Sequence, residues 1–356
     1  MIVARCLAAL MLSTLNGPSD PDADTTQAML RMVPAPVAGR PAWDIPIEYN
    51  RAVDRWLDYY QSRGRRTIQI HLARAGRYEE TLRAILREHG LPQDLVYLSM
   101  IESGFNPNAY SKAHAVGLWQ FLASTARRYG LRVTYWVDER RDPLLATHAA
   151  AAYLKDLYEE FGSWYLAAAA YNGGASRVRR AIRRTGSRDF WTLVRRGYFP
   201  TETRNYVPKL IAAALIAKQP ERYGLTVVAA PPLSYDLGQV PDATSLEVIA
   251  EAAGAEVPEV KALNPQLIRG VTPPGERYYV RLPPRSGETF AANYARIQAE
   301  ARAGSIEHTI RSGDTLSRLA IAYGSDLTAI RSANPSVRPE RLQVGQLLYI
   351  PLGQEP

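Results

Sequence analysis

The sequence predicts a mainly α protein that ends in small α+β units, and three observations carry that reading. From about residue 47 to 224 apolar residues recur at helical spacing, with no convincing strand alternation. Residues 17–46 are instead rich in Pro, Asp, Ala and Thr, a composition that buries little apolar surface and reads as a flexible linker. The last third of the chain repeats itself. Leu246, Ile249, Ala250, Gly254, Val260 and Asn264-Pro265 match Leu316, Leu319, Ala320, Gly324, Ile330 and Asn334-Pro335 at one offset of 70 residues.

Residues 1–16 precede the linker. Arg5 stands before an apolar run, Leu7 to Leu15, and the segment resembles a short signal peptide without a clear A-x-A cleavage site. The run is too short for a membrane-spanning helix, and no other stretch has that character. Cys6 lies before the apolar run instead of after it, a poor site for lipid attachment. It is the single cysteine, so disulfides within the chain and Cys-rich metal sites are excluded. The five histidines are scattered and none forms an HExxH pair, so neither a metal nor another cofactor is called for.

The helical domain, 47–224, can be followed element by element. Val53, Trp56, Leu57 and Tyr60 mark a first helix. Tyr78 to His89 reads as a second, with Leu82, Ile85 and Leu86 as its stripe. Gly90-Leu-Pro92 ends it and opens a third. A loop, Phe105 to Val116, follows, then Gly117-Leu-Trp-Gln120 leads into Phe121 to Ala126. Asp142-Pro143 signals a helix start, with Leu144 to Phe161 behind it. Trp164 to Tyr171 is Ala-rich and reads as a buried helix stopping at Asn172-Gly-Gly174. Ser176 to Arg184, Phe190 to Arg195, and Thr201 to Lys218 with Pro208 inside it complete the domain.

The C-terminal units read as strand, helix, helix, strand. In the cleaner second unit, 306–352, His308-Thr-Ile310 is a strand, Gly313-Asp-Thr-Leu316 a turn and helix start, and Leu347 to Ile350 the closing strand. The first unit, 225–285, is degenerate, with Asp242-Ala-Thr-Ser245 in place of the Gly-Asp-Thr turn. Residues 286–305 read as a helical linker.

A net charge of +8 and a pI near 9.5 suit an anionic partner without choosing one. No zinc-finger, homeodomain or aromatic RNA-binding motif is present, so nucleic acid is not the expected partner. Arg177, Arg179, Arg180, Arg183 and Arg184 form a charge run that reads as a solvated helix face.

The chemistry centres on Glu102. Leu95, Leu98 and Glu102 fall at i, i+3 and i+7, so the carboxylate shares an apolar stripe. Desolvation there favours its neutral form, and so does the negative end of a helix dipole where Gly104 stops the helix. A proton-holding acid of this kind suits general acid catalysis. A core-edge Glu paired with an arginine stands beside that reading. From Ser103 to Val137 there is no Asp or Glu. A partner carboxylate, as many glycosidases use, would have to fold back from a distant position such as Asp138, Asp142 or Glu202, and a one-carboxylate mechanism is simpler.

Several ordered motifs together resemble the lytic transglycosylases of the goose-lysozyme-like class. They are Glu102-Ser-Gly-Phe-Asn-Pro107, Ser111, Gly117-Leu-Trp-Gln120, Ser124-Thr125, Ala170-Tyr-Asn-Gly173 and Glu202-Thr-Arg-Asn-Tyr-Val207. The C-terminal repeat resembles LysM modules, which bind N-acetylglucosamine-containing glycans. The resemblance covers roughly residues 47–352 and departs at two places. His114 stands where the family has glycine, and Ala123 where it has proline.

The resemblance implies a lysozyme-like all-helical catalytic domain followed by βααβ LysM-like modules, acting on peptidoglycan glycan strands in the periplasm or cell envelope, peripherally associated at most. It implies cleavage of the β-1,4 bond between N-acetylmuramic acid and N-acetylglucosamine with a 1,6-anhydro product, Glu102 serving as acid and then base. A water-using muramidase and a non-catalytic wall-binding protein are the alternatives. Implied substrate contacts are Ser103, Trp119, Gln120, Tyr171, Asn172, Glu202 and Tyr206. Ser103 and Gln120 offer hydrogen bonds, Tyr171 an aromatic face, and Trp119 either a sugar platform or core packing. Gly313, Asp314, Thr315 and Asn334 are the implied glycan-binding positions of the second module.

Overall fold

The computed structural model describes residues 43–273, 275–297, 305–323, 325–334 and 337–351. The expected signal peptide, 1–16, and residues 17–42 of the expected linker lie outside them. The rest of that linker is packed. Ile45 is buried in the main core, Asp44 accepts the Gln93 and Asp94 amides, and the Pro46 carbonyl accepts the Tyr165 hydroxyl at 2.6 Å.

The helical domain is built from α1 (Arg51–Gln61), α2 (Arg65–Glu88), α3 (Val96–Ser103), α4 (Ala123–Arg128), α5 (Pro143–Phe161), α6 (Trp164–Gly173), α7 (Ala175–Thr185), α8 (Phe190–Arg195) and α9 (Thr201–Lys218). Caps mark several starts as the side chains dictate. Asn50 accepts the Ala52 and Val53 amides, and Asp142 those of Leu144 and Leu145 ahead of Pro143. Helix α2 begins 13 residues before the expected Tyr78. Ile68, Leu72 and Ala75 extend its buried stripe through turns whose arginines obscure the pattern. Helix α9 continues through Pro208, because Val207, Leu210, Ile211 and Ala212 around it are all buried and tertiary packing outweighs one lost backbone bond.

Helix α6 is central. Ala167 to Ala170 are fully buried, and their small side chains let α5 and α9 approach closely. Helix α3 packs on α2 and α9. Just before α3, Asp94 is buried and pairs with Arg83 of α2 at 3.1 Å and Lys218 of α9 at 2.6 Å. The short helix carrying Glu102 is thereby pinned where it begins.

The first C-terminal unit consists of β1 (Asp236–Val240), α10 (Leu246–Ala253), α11 (Val257–Leu263) and β2 (Tyr278–Leu282), with β1 and β2 antiparallel. Helix α12 (Gly287–Tyr294) packs back on it. Phe290 and Tyr294 join Val240, Ile249 and Val280 in one core, so part of the expected linker belongs to this unit. The second unit repeats the plan with β3 (Ser305–Thr309), α13 (Leu316–Ala322), α14 (Leu327–Ala333) and β4 (Leu347–Pro351). An asparagine does the same work in both. Asn264 bonds the Val260 and Arg281 carbonyls and accepts the Arg281 amide, while Asn334 bonds the Ile330 and Tyr349 carbonyls and accepts the Tyr349 amide. Each staples the end of the second helix to the closing strand.

Candidate active site

Glu102 lies in the last turn of α3, and Leu95 and Leu98 on its stripe are buried. Gly104 ends the helix at φ +62°, in the left-handed region. The His71 ring of α2 lies against this glycine, where a Cβ would stand 2.1 Å from the ring. No other residue type fits without displacing His71. The Glu-Ser-Gly sequence thus reflects both backbone conformation and the close approach of a neighbouring helix.

The Tyr206 hydroxyl donates a 2.6 Å hydrogen bond to Glu102 Oε1. Lys209, one turn on, donates to the Ile101 carbonyl at 3.0 Å. Burial pushes the Glu102 carboxyl up from 4.5 to about 7, with nearby Glu202 adding to the effect; the Tyr206 hydrogen bond and the Lys209 charge oppose it. Burial also drives Tyr206 and Tyr171 well above the ordinary phenol range, with the Glu102 charge contributing. His71 is lowered to about 4 by burial and by the charges of Lys209 and Arg74, so it is neutral at physiological pH. The site therefore holds one carboxyl poised between its two protonation states, beside two neutral phenols. The core-edge reading with an arginine partner is not what the structure shows: the partner is Tyr206.

Of the three distant carboxylates, Glu202 alone comes near Glu102. It is exposed and accepts from Asn172 Nδ2 at 3.0 Å, and no arginine pairs with it among the described residues. Asn172 in turn accepts from the Thr203 hydroxyl at 2.9 Å. Asp138 is committed to Arg140 through two 2.8 Å contacts, and Asp142 caps α5 while pairing with Arg281.

Several expected substrate contacts make hydrogen bonds within the protein, and one of them, Trp119, is fully buried. Ser103 does not reach Glu102: its hydroxyl donates to the Leu118 carbonyl at 2.9 Å and accepts the Asn106 amide at 3.1 Å. Gln120 bonds back to the Gly117 carbonyl at 2.9 Å, at φ +50°. Trp119 is fully buried, with its indole N–H on Thr147 at 2.8 Å, so it is core and offers no sugar platform. The Tyr171 hydroxyl donates to the Trp119 carbonyl at 2.7 Å. These bonds draw the 117–120 segment against the Glu102 helix and α6.

The departures from the family pattern have a local reading. His114, in the glycine place, adopts φ +61°, a conformation that favours glycine, and its ring contacts the Tyr110 hydroxyl. Ala123 simply opens α4.

In the second module Asn334 is buried and fully used, so it is unavailable to a glycan. Asp314 accepts the Arg311 amide and pairs with His308, both at 2.7 Å. Thr315 caps α13 through the Arg318 amide. Gly313 is exposed in its turn at φ +89°.

The sequence motifs pointed to Tyr206 only as a substrate contact, not as the partner of Glu102, and did not point to Lys209 or His71. A signal existed for the first two. Glu202, Tyr206 and Lys209 stand at i, i+4 and i+7 and so share a face of α9. Nothing in the sequence marks His71.

Comparison with known proteins matches this architecture in three blocks. Residues 81–194 match the transglycosylase SLT domain, 236–299 the LysM-like domain of lytic transglycosylase MltD, and 308–351 the LysM domain. Membrane-bound lytic murein transglycosylase D of Escherichia coli is 34% identical over 297 residues, which cover 79% of this chain and 64% of that protein. The chain thus spans just under two thirds of that relative's length. A putative tributyltin chloride resistance protein of an Alteromonas species is 40% identical over 118 residues, 32% of this chain and 57% of that one. Among solved structures, lytic transglycosylase Slt of Pseudomonas aeruginosa aligns over 40% of this chain and 24% of its own at 28% identity and a TM-score of 0.34. The chain thus carries an SLT domain, an MltD-type LysM-like domain and a LysM domain in that order, and in this it is similar to the lytic transglycosylases that join such domains.

Proposed function

We propose that the protein is a peptidoglycan lytic transglycosylase in which Glu102 acts alone as acid and then base. The observation that carries this is the Glu102–Tyr206 pair, a carboxyl raised to about 7 and held by a 2.6 Å hydrogen bond. A group whose two protonation states are close in energy can give a proton and take one back in a single turnover.

That pair supports the following steps. Protonated Glu102 gives its proton to the glycosidic oxygen as the bond from the N-acetylmuramic acid C1 breaks. Oxocarbenium-like charge on that sugar is stabilised by the substrate's own acetamido group and by protein dipoles. Ionised Glu102, steadied by Tyr206, then removes the proton of the C6 hydroxyl. That oxygen closes on C1, yielding a 1,6-anhydro sugar and restoring the acid. No water is consumed. Asn172 and Glu202 border the site and offer polar contacts to the sugars, while Tyr171 orders the loop through the Trp119 carbonyl. The second module, with the exposed turn at Gly313 to Thr315, would hold the chain on glycan at the cell envelope. Among the described residues no helix is long and apolar enough to cross a membrane.

Glu202 is the observation on the side of a water-using muramidase, because a second carboxylate stands within electrostatic reach of Glu102. Its hydrogen bond to Asn172 and its exposure favour a binding role instead. Mass analysis of products from purified peptidoglycan separates the two. Anhydro ends support the transglycosylase. Reducing ends, heavier by one water, overturn it.

A further inference from the structure

We propose that the first LysM-like module is a fixed brace of the active-site loop, with Arg281 as a positioning residue. The module is not tethered beside the helical domain but built into it. The segment leading to it runs along α2, where the Ala230 and Leu233 amides bond the Ala73 and Arg77 carbonyls at 2.8 Å. The two cores exchange residues. Val137 of the helical domain is buried in the module's core, and Leu263 of the module belongs to the main core. Backbone pairing joins Val137 to Leu267, and the Asp138 amide bonds the Gln266 carbonyl at 2.9 Å.

At the centre of this seam lies a buried ion pair. Arg281 of β2 and Asp142 have side chains only 2% and 1% exposed. The guanidinium meets both carboxylate oxygens, at 2.7 and 3.0 Å. Asp142 is also the cap of α5, so one carboxylate serves the helix start and the module together. A second pair at the seam, Arg132 with Glu276 at 2.7 Å, is half-exposed and contributes less. A charge pair withdrawn from water holds its geometry tightly, and loss of one partner is strongly unfavourable.

From this seam a continuous set of bonds runs to the catalytic loop. Residues 138–142 form one short turn, with Asp138 bonded to the module and Asp142 paired to it. Asp138 clamps Arg140, whose Nη1 bonds the His114 and Phe121 carbonyls at 3.2 and 3.1 Å. The Arg140 carbonyl lies against Gly117, where a Cβ would stand at 1.7 Å. Trp119 is anchored on Thr147 of α5, the helix that Asp142 caps. The same loop then meets the site: the Leu118 carbonyl accepts from Ser103 and the Trp119 carbonyl from Tyr171. The module thereby fixes the loop that flanks Glu102, and its role is to position that loop, whatever glycan it also contacts. This rests on the proposed transglycosylase activity only for its kinetic readout.

The test uses the full chain. In the unaltered protein, amide hydrogen exchange over 109–121 and over 278–282 should show the same denaturant dependence, because the two segments open together. Module amides that exchange while 109–121 stays protected overturn the brace. In the R281M variant, loop exchange should rise, and kcat on soluble glycan strands should fall about tenfold with little change in KM, since loop misplacement affects the reacting geometry. R281K should recover part of that loss. Should R281M fail to fold, R281M combined with D142N removes both charges, keeps a capping side chain, and carries the same expectation. A folded variant with wild-type kcat and wild-type loop exchange overturns the inference. Absence of cleavage by the wild-type protein is a different outcome, and counts against the proposed activity while leaving the exchange test standing.

Discussion

Tyr206 of α9 donates to Glu102 of α3 at 2.6 Å, across 104 residues of sequence. The bond opposes the burial that raises the carboxyl, and the balance leaves it at about 7. A phenol held well above its ordinary range keeps its own proton, so Tyr206 donates to Glu102 without ionising in its place.

The E102Q substitution should lower cleavage about 100- to 10,000-fold, the span attributable to a general acid and base. It should also stabilise the fold. Because the folded carboxyl titrates at about 7 and an unperturbed one at 4.5, the native state holds the extra proton between those values. Stability relative to the unfolded chain therefore falls as pH rises through that window, by up to about 3 kcal/mol. The gain in Tm from E102Q should be small near pH 4 and largest above about pH 7. A gain that does not grow with pH contradicts the perturbed acid.

Removing the Tyr206 hydroxyl moves the same balance. Y206F takes away a hydrogen bond to the charged form, so the Glu102 pKa should rise and the alkaline limb of kcat/KM shift to higher pH. E202Q removes a neighbouring negative charge and should shift that limb to lower pH. Opposite shifts in the two pH profiles check the assignment; shifts of the same sign refute it.

Gly104 tolerates no side chain. G104A combines a positive φ with a Cβ 2.1 Å from the His71 ring, and should destabilise the protein by about 2–4 kcal/mol in denaturant unfolding. Adding H71A should recover the steric part and leave the backbone part. No recovery in the double variant would show that the contact is not the cause.

Asn264 and Asn334 should behave as a pair. Each Asn→Ala change leaves buried strand groups unbonded, at about 1–3 kcal/mol. N334A should loosen the second module, seen as faster exchange at Tyr349, while leaving soluble-glycan cleavage intact. N264A should affect the first module and, through it, cleavage.

Removing residues 305–356 should weaken sedimentation with wall sacculi while sparing cleavage of soluble glycan strands. A truncated chain that pellets as well as the full one removes the targeting role from the second module.

The elements were legible wherever one residue pattern controls one element. The Asp142-Pro143 start, the Ala-rich α6 and the repeat at an offset of 70 residues all appear in the fold as expected. The start of α2 was not, because arginines there interrupt the apolar period although tertiary packing extends the helix. Within the site, the burial of Glu102 was legible from its place on a leucine stripe, while its reading as an acid came from the motifs that follow it. The internal hydrogen bonds of Ser103, Gln120 and Trp119 were not legible. A hydroxyl, an amide and an indole suit a ligand as well as a carbonyl or hydroxyl of the protein, and their partners lie 3 to 28 residues away.

The sequence alone determined the kinds of element, the order of the units and the singular position of Glu102, since periodicity, caps and carboxylate spacing are local or countable properties. The tertiary structure alone decided which groups meet that carboxylate, and so its proton affinity. It also decided that Asp138 and Asp142 serve Arg140 and Arg281 instead of the substrate. Burial and charge pairing depend on distances through space, which spacing along the chain does not contain.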